Sequence, residues 1–184
     1  MAATPPNAPA SSAPAPALRR IRLRRALLPE GWTEQVVLTL DCKGIIRELR
    51  LADELPSEGA AGAPADTTLG TVVPGIANLH SHAFQRGMAG LAQRRGEDGR
   101  ESFWSWRKIM YAFVEHLDPE QVEAVAALAY CEMLEAGFTA VGEFHYLHHA
   151  PDGRPYGDPG EMAVRICAAA AGTGVALTLL PVAY

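Results

Sequence analysis

"PGIANLHSHAFQR", Pro74 to Arg86, closes an apolar run and sets two of the chain's six histidines one residue apart, with Phe-Gln-Arg behind them. A solvated surface gains nothing from that spacing. At the end of a β-strand it has a use: alternate side chains leave a strand on one side, so His80 and His82 are expected to point together, separated by a single rise of about 6.6–7 Å. Two imidazoles so placed can share one divalent cation. Loop histidines engaged only in hydrogen bonds are the competing reading of an isolated His-x-His, and the apolar run before this pair favours the metal. That run, "TTLGTVVPGIANLH" from Thr67, reads as one nearly continuous strand buried on both faces, the habit of parallel sheets.

Downstream, "DPEQVEAVAALAYCEMLEAG" opens with Asp118 as N-cap, Pro119 at the first helical position and Gln121 completing a capping box, and it closes on Gly137. Val122, Val125, Ala129 and Met133 form its apolar face. "DPGEMAVRICAAAAG" repeats the device with Asp158, Pro159 and Glu161 at its start and Gly172 near its end. Each helix leads into an apolar strand, "FTAVGEFHY" and then "VALTLLPVAY". This alternation predicts an α/β fold of parallel strands joined by right-handed crossovers, either a doubly wound sheet or the first part of a (β/α)8 barrel. No glycine-rich phosphate loop follows the first strand, which favours the barrel. A whole barrel takes about 250 residues. With 184 residues the chain reads as truncated on its third barrel strand.

Upstream, "LRRIRLRRALL" alternates Ile21 and Leu23 with arginines, as on an edge strand, and "EQVVLTLDCKGIIRELRLADEL" reads as strand, turn and strand about Asp41 to Gly44. The Gly/Ala/Pro-rich stretch from Pro56 to Asp66 reads as a loop. The domain plan is therefore a disordered Ala/Pro-rich tail over 1–17, a small β unit over 18–72 and the barrel section over 73–184. The first 29 residues hold no Asp or Glu and five arginines, as transit peptides do, but the proline-rich opening forms no targeting helix.

A formal net charge of −5 gives no attraction to nucleic acid or to an anionic membrane surface. No run approaches the roughly 18 apolar residues of a membrane span. Cys42, Cys131 and Cys167 are odd in number and far apart, which suits reduced core thiols in a cytoplasmic protein.

Two further stretches lie where a barrel mouth would be. "EFHYLHH" brings Glu143, His145, Tyr146, His148 and His149 to the end of the second barrel strand; it is a rival metal site by spacing, but it runs into a loop where structural roles for the three histidines are expected. The connection between the first strand and the first capped helix far exceeds the usual length of about 2–6 residues. It contains "ESFWSWRKIMYAFVEHL", read as an amphipathic helix whose Trp104, Trp106, Met110, Tyr111 and Phe113 pack over the rim. For Arg107 two roles are open, a surface cation and a bidentate clamp on a substrate carboxylate.

Together, "PGIANLHSHAFQRGMAGL", "SFWSWRKIMY" and "GFTAVGEFHYLHHAPDGRPYGDP" resemble the amino-terminal part of the formimidoylglutamate deiminases of the amidohydrolase superfamily, over roughly Pro74 to Tyr184. The resemblance implies a zinc enzyme with His80 and His82 as its first two metal ligands. It implies that Gln85, Arg107 and Tyr146 contact N-formimino-L-glutamate, and that the upstream strands belong to a small β-sandwich. The implied reaction is hydrolytic deimination to N-formyl-L-glutamate and ammonia, a step of histidine degradation. The family's remaining metal ligands and its catalytic glutamate lie on later strands, so none of the catalytic residues falls within these 184 positions, and this stretch alone is expected to be inactive. A homodimer of complete subunits stays open. The alternatives are another amidohydrolase, such as a guanine or related nucleobase deaminase, and a non-catalytic metal-binding half-barrel.

Overall fold

A computed structural model of the chain describes residues 18–54, 67–92 and 103–183. The tail over 1–17 and the loop from Pro56 to Asp66 lie outside the described residues. The chain divides into two compact units, the first ending at Pro74 and the second starting at Gly75.

The first unit is a four-stranded sheet built from β1 (Arg19–Leu28), β2 (Gly31–Leu40), β3 (Ile46–Leu51) and β4 (Thr67–Val72), in the order β3-β2-β1-β4. β1 pairs antiparallel with β2 and parallel with β4, so the arginine-rich strand is internal rather than an edge. Its arginines mark a solvated face, while Leu23, Ala26 and Val36 form the buried side. The turn after β2 is closed by Asp41, whose Oδ1 accepts the backbone N–H groups of Lys43 and Ile45 at 2.9 and 3.0 Å. The Ile45 amide first, then the Arg47 guanidinium and the Lys43 amide, hold the Asp41 carboxyl below the usual carboxylate range.

The second unit holds β5 (Ile76–Ser81), α1 (Phe103–Val114), α2 (Pro119–Glu135), β6 (Phe138–His145), α3 (Glu161–Thr173) and β7 (Ala176–Pro181), with a 3₁₀ segment, Ala83–Met88, directly after β5. Its sheet has the order β5-β6-β7, parallel throughout. The anticipated continuous strand from Thr67 is thus two strands in two sheets, broken at Val73-Pro74-Gly75. Pro74 has no N–H to continue a ladder. Nor is β5 buried on both faces: Ile76 is 54% and Leu79 83% exposed, because β5 is an outer strand of the described sheet.

α2 forms as the sequence predicts. Asp118 accepts from the Gln121 N–H at 2.7 Å, and the Gln121 side chain accepts from the Asp118 N–H at 3.0 Å. The start of α3 differs. Asp158 accepts from the Gly160 N–H at 2.7 Å and is spent on the preceding turn, so Gly160 is the cap and no side chain caps the helix. The helix also runs past Gly172 to Gly174, which takes the left-handed φ of 85° that a C-cap requires. α2 and α3 contribute Val122, Ala126, Ala129, Tyr130, Met162, Ile166, Ala169 and Ala170 to the core around Val141. Each large apolar side chain so buried contributes about 1.5–3 kcal/mol. The alanines let the two helices approach, and Arg165 ties Glu120 and Glu123 of α2 to Glu161 of α3. The three cysteines, expected inside, are exposed free thiols. Among the described residues no helix is long and apolar enough to cross a membrane.

Candidate metal centre

The pairing of β5 with β6 carries a bulge at the first histidine of the motif. Asn78 faces Val141 and Ser81 faces Glu143, so Leu79 and His80 together oppose the single residue Gly142. Asn78 closes the bulge by accepting the His80 N–H on its side-chain oxygen at 3.2 Å. Gly142 makes room for it: a Cβ there would stand 2.9 Å from the Leu79 carbonyl oxygen. The bulge turns Leu79 out to solvent and re-aims His80. His82 lies one residue past the strand, with φ −129° and ψ 79°, at the head of the 3₁₀ segment.

The two rings do meet, though not by simple alternation along an unbroken strand. Their Nε2 atoms are 3.0 Å apart and the ring planes cross at 88°. His82 Nδ1 lies 2.8 Å from the Phe144 carbonyl oxygen. A carbonyl only accepts, so Nδ1 carries the proton and, in the neutral ring, His82 Nε2 presents a bare lone pair toward His80. This is the tautomer a metal ligand needs, fixed by a backbone oxygen on the next strand. Two imidazole nitrogens at this separation fit the coordination sphere of one ion, whose Zn–N distances are about 2.0–2.1 Å. Among the described residues no third His, Cys, Asp or Glu joins them. The Phe144 ring stands 5.3 Å from His80 and 5.4 Å from His82, forming an apolar wall.

Gln85 and Tyr146 come to the same place. The Gln85 side-chain amide donates to the Tyr146 hydroxyl at 3.0 Å, and the Tyr146 ring packs edge-on against His82 with centroids 5.0 Å apart. The Tyr146 hydroxyl in turn reaches Met110 Sδ at 3.5 Å, which links α1 to this cluster. Arg107, one turn before Met110, is not in that cluster. Its guanidinium is held on α1 by the Tyr111 hydroxyl, at 3.2 Å from Nε and 2.7 Å from Nη2, and lies over the Tyr111 and Trp104 rings. Trp104 and Tyr111, anticipated as rim packing, are exposed and flank the arginine instead.

The histidines at the end of β6 and beyond it take separate paths. His145 is buried with no hydrogen-bond partner for Nε2 among the described residues, and burial, aided by neighbouring His148, lowers its pKa to about 4. It is neutral at physiological pH. His148 Nε2 bonds to the Val182 carbonyl at 2.7 Å, and exposed His149 forms an isolated β-bridge with Pro155. Among the described residues they belong to no group of three or more potential metal ligands.

Glu143 went unassigned in the sequence. It is 1% exposed, and its Oε1 accepts the Ala83 backbone N–H at 2.7 Å. The sealed Tyr130 hydroxyl has its pKa driven up by burial first and by the Glu143 charge second. An acid alternating with Val141 and His145 on the inward side of an apolar strand was the available signal.

A family model for the amidohydrolase family matches residues 71–179. The chain is 52% identical over 160 residues to formimidoylglutamate deiminase of Pseudomonas aeruginosa, covering 87% of this chain and 34% of that protein. It is 30% identical over 104 residues to 8-oxoguanine deaminase of the same organism, covering 56% of this chain and 22% of that protein. Among solved structures, an amidohydrolase from Brucella melitensis superposes with a TM-score of 0.75 at 53% identity, over 88% of this chain and 34% of that one. The chain thus spans about a third of the length of the formimidoylglutamate deiminase and of the Brucella melitensis protein. Its parallel strands and helices are a section of the amidohydrolase fold.

Proposed function

We propose, since the chain belongs to the amidohydrolase family, that it supplies half of a metal site and part of the substrate pocket of a zinc-dependent hydrolase that deiminates N-formimino-L-glutamate. The observation that carries this reading is the convergence of the His80 and His82 Nε2 atoms at 3.0 Å, with the His82 tautomer set by the Phe144 carbonyl. A zinc ion held by these two nitrogens and by further ligands supplies Lewis-acid chemistry that makes water a nucleophile near neutral pH.

The chain's own residues orient the substrate. Among the described residues one Gln85 amide N–H and its carbonyl oxygen are not engaged beyond the bond to Tyr146, so Gln85 offers both a donor and an acceptor to the planar formimino group beside His82. Arg107, fixed by Tyr111 and stacked on two aromatic rings, presents a preorganised cation suited to a glutamate carboxylate. Addition of water to the formimino carbon followed by loss of the protonated nitrogen yields N-formyl-L-glutamate and ammonia. A nucleobase has no carboxylate for Arg107, and this disfavours a guanine-type substrate.

The test is a chimera in which residues 18–183 replace the matching third of the Pseudomonas aeruginosa deiminase. It should release ammonia from N-formimino-L-glutamate and leave guanine untouched. A folded, zinc-replete chimera inert toward the formimino compound overturns the proposal, and turnover of guanine assigns the site to nucleobases.

A further inference from the structure

We infer that Glu143 is a positioning residue for the histidine pair: its carboxylate holds the backbone amide that follows His82 and so fixes the turn on which the two rings converge. The inference rests on the metal reading of His80 and His82.

The 3₁₀ segment Ala83–Met88 starts with an amide that has no acceptor inside the segment. The residue in the cap position, His82, makes no side-chain capping bond to the segment. Its Nδ1 is engaged with Phe144 and its Nε2 faces His80. The missing cap comes from the neighbouring strand, as the 2.7 Å bond from the Ala83 N–H to Glu143 Oε1.

Glu143 and Phe144, consecutive on β6, thereby grip Ala83 and His82, consecutive after β5, through one side chain and one carbonyl. The ladder sets this up, because Ser81 is the register partner of Glu143. Sealing a carboxylate at 1% exposure costs desolvation energy that an apolar side chain of similar volume would avoid. Its acceptor oxygen is what an apolar residue lacks. Gln85 lies in the same 3₁₀ segment, so the clamp also sets the residue that meets Tyr146.

The 184-residue chain, its Glu143→Gln variant and its Glu143→Leu variant separate this role from simple packing. Two readouts are used: exchange of the Ala83 amide hydrogen without metal, and zinc affinity measured by competition with a chromophoric chelator. Gln keeps an acceptor and should keep the Ala83 amide protected and zinc bound near the wild-type level. Leu should expose the amide and weaken zinc about 10- to 100-fold, the range found when an outer partner of a metal ligand is lost. A packing role would lower the melting temperature without moving the zinc affinity of the folded protein, and a folded Leu variant with wild-type affinity overturns the inference. Should the Leu variant not fold, an Ala83 amide that exchanges at loop rates in the wild type overturns it equally. Absence of zinc binding in the wild type, with amide protection still following the substitution, removes the metal reading and leaves the clamp standing.

Discussion

Replacing Gly142 by alanine should damage the site from the far side of the ladder. The added Cβ would stand 2.9 Å from the Leu79 carbonyl oxygen, where ordinary contact needs about 3.4 Å or more. The neighbour is backbone, so no rotamer change relieves the clash; β5 must move by several tenths of an ångström at the bulge that aims His80. Overpacking of this kind costs about 1–3 kcal/mol, against about 0.4–1 kcal/mol regained from a less flexible unfolded chain. The net loss should lower the melting temperature by several degrees, at about 2–4 °C per kcal/mol for a chain of this size. Gly172→Ala is the control, because a Cβ there meets nothing within 4 Å and lies in a helix, where alanine stabilises by about 0.5–1 kcal/mol. Thermal melts of both variants by circular dichroism, with a zinc titration of each, read out the two effects. Gly142→Ala should melt lower and bind zinc more weakly, and Gly172→Ala should melt slightly higher with zinc binding unchanged. A Gly142→Ala chain that melts at or above the wild type would refute the claim that strand spacing at the bulge is set by this glycine.

Asp118→Ala removes the α2 capping box and should cost about 1 kcal/mol in a urea denaturation series. His145 is held neutral with its pKa lowered from 6.5 to about 4, so the unfolded chain binds a proton that the folded chain refuses. Its contribution to stability is complete above about pH 6.5 and should be lost progressively as pH falls toward about 4, and melts of His145→Gln over that window should show a shallower decline. In the chimeric enzyme, Arg107→Met should lower kcat/KM for N-formimino-L-glutamate about 10- to 150-fold, the equivalent of a lost charge-assisted pair of about 1.5–3 kcal/mol; unchanged kinetics would remove Arg107 from the substrate site.

What was legible in the sequence is what local chemistry decides. The capping box of α2 depends on residues three apart, and it forms as read. The order of strands and helices follows from patterning, and the parallel sheet β5-β6-β7 bears it out. The same local reasoning misplaced the start of α3, because the Asp158 side chain bonds to the Gly160 amide two residues on and caps the turn instead of the helix. Arginine alternation revealed which face of β1 meets water but said nothing of its edges, both of which are paired. The bulge at Leu79 and His80 is a property of two strands in register, and neither strand alone encodes it visibly. Alternation could have marked Glu143 as inward-facing, but not its partner: the Ala83 amide is 60 positions away in the chain, and only the ladder brings them together. Resemblance named Gln85 and Tyr146 separately, as contacts of a substrate; that they bond to each other is a feature of the fold that no local pattern announces.

The central claim is that His80 and His82 are set to hold one metal ion before the metal arrives, and anomalous diffraction at the zinc edge from zinc-soaked crystals of the chain tests it most directly. The account predicts one peak about 2.0–2.1 Å from both Nε2 atoms, with His82 Nδ1 still bonded to the Phe144 carbonyl. Zinc on His145, His148 or His149 with none between His80 and His82 would contradict it.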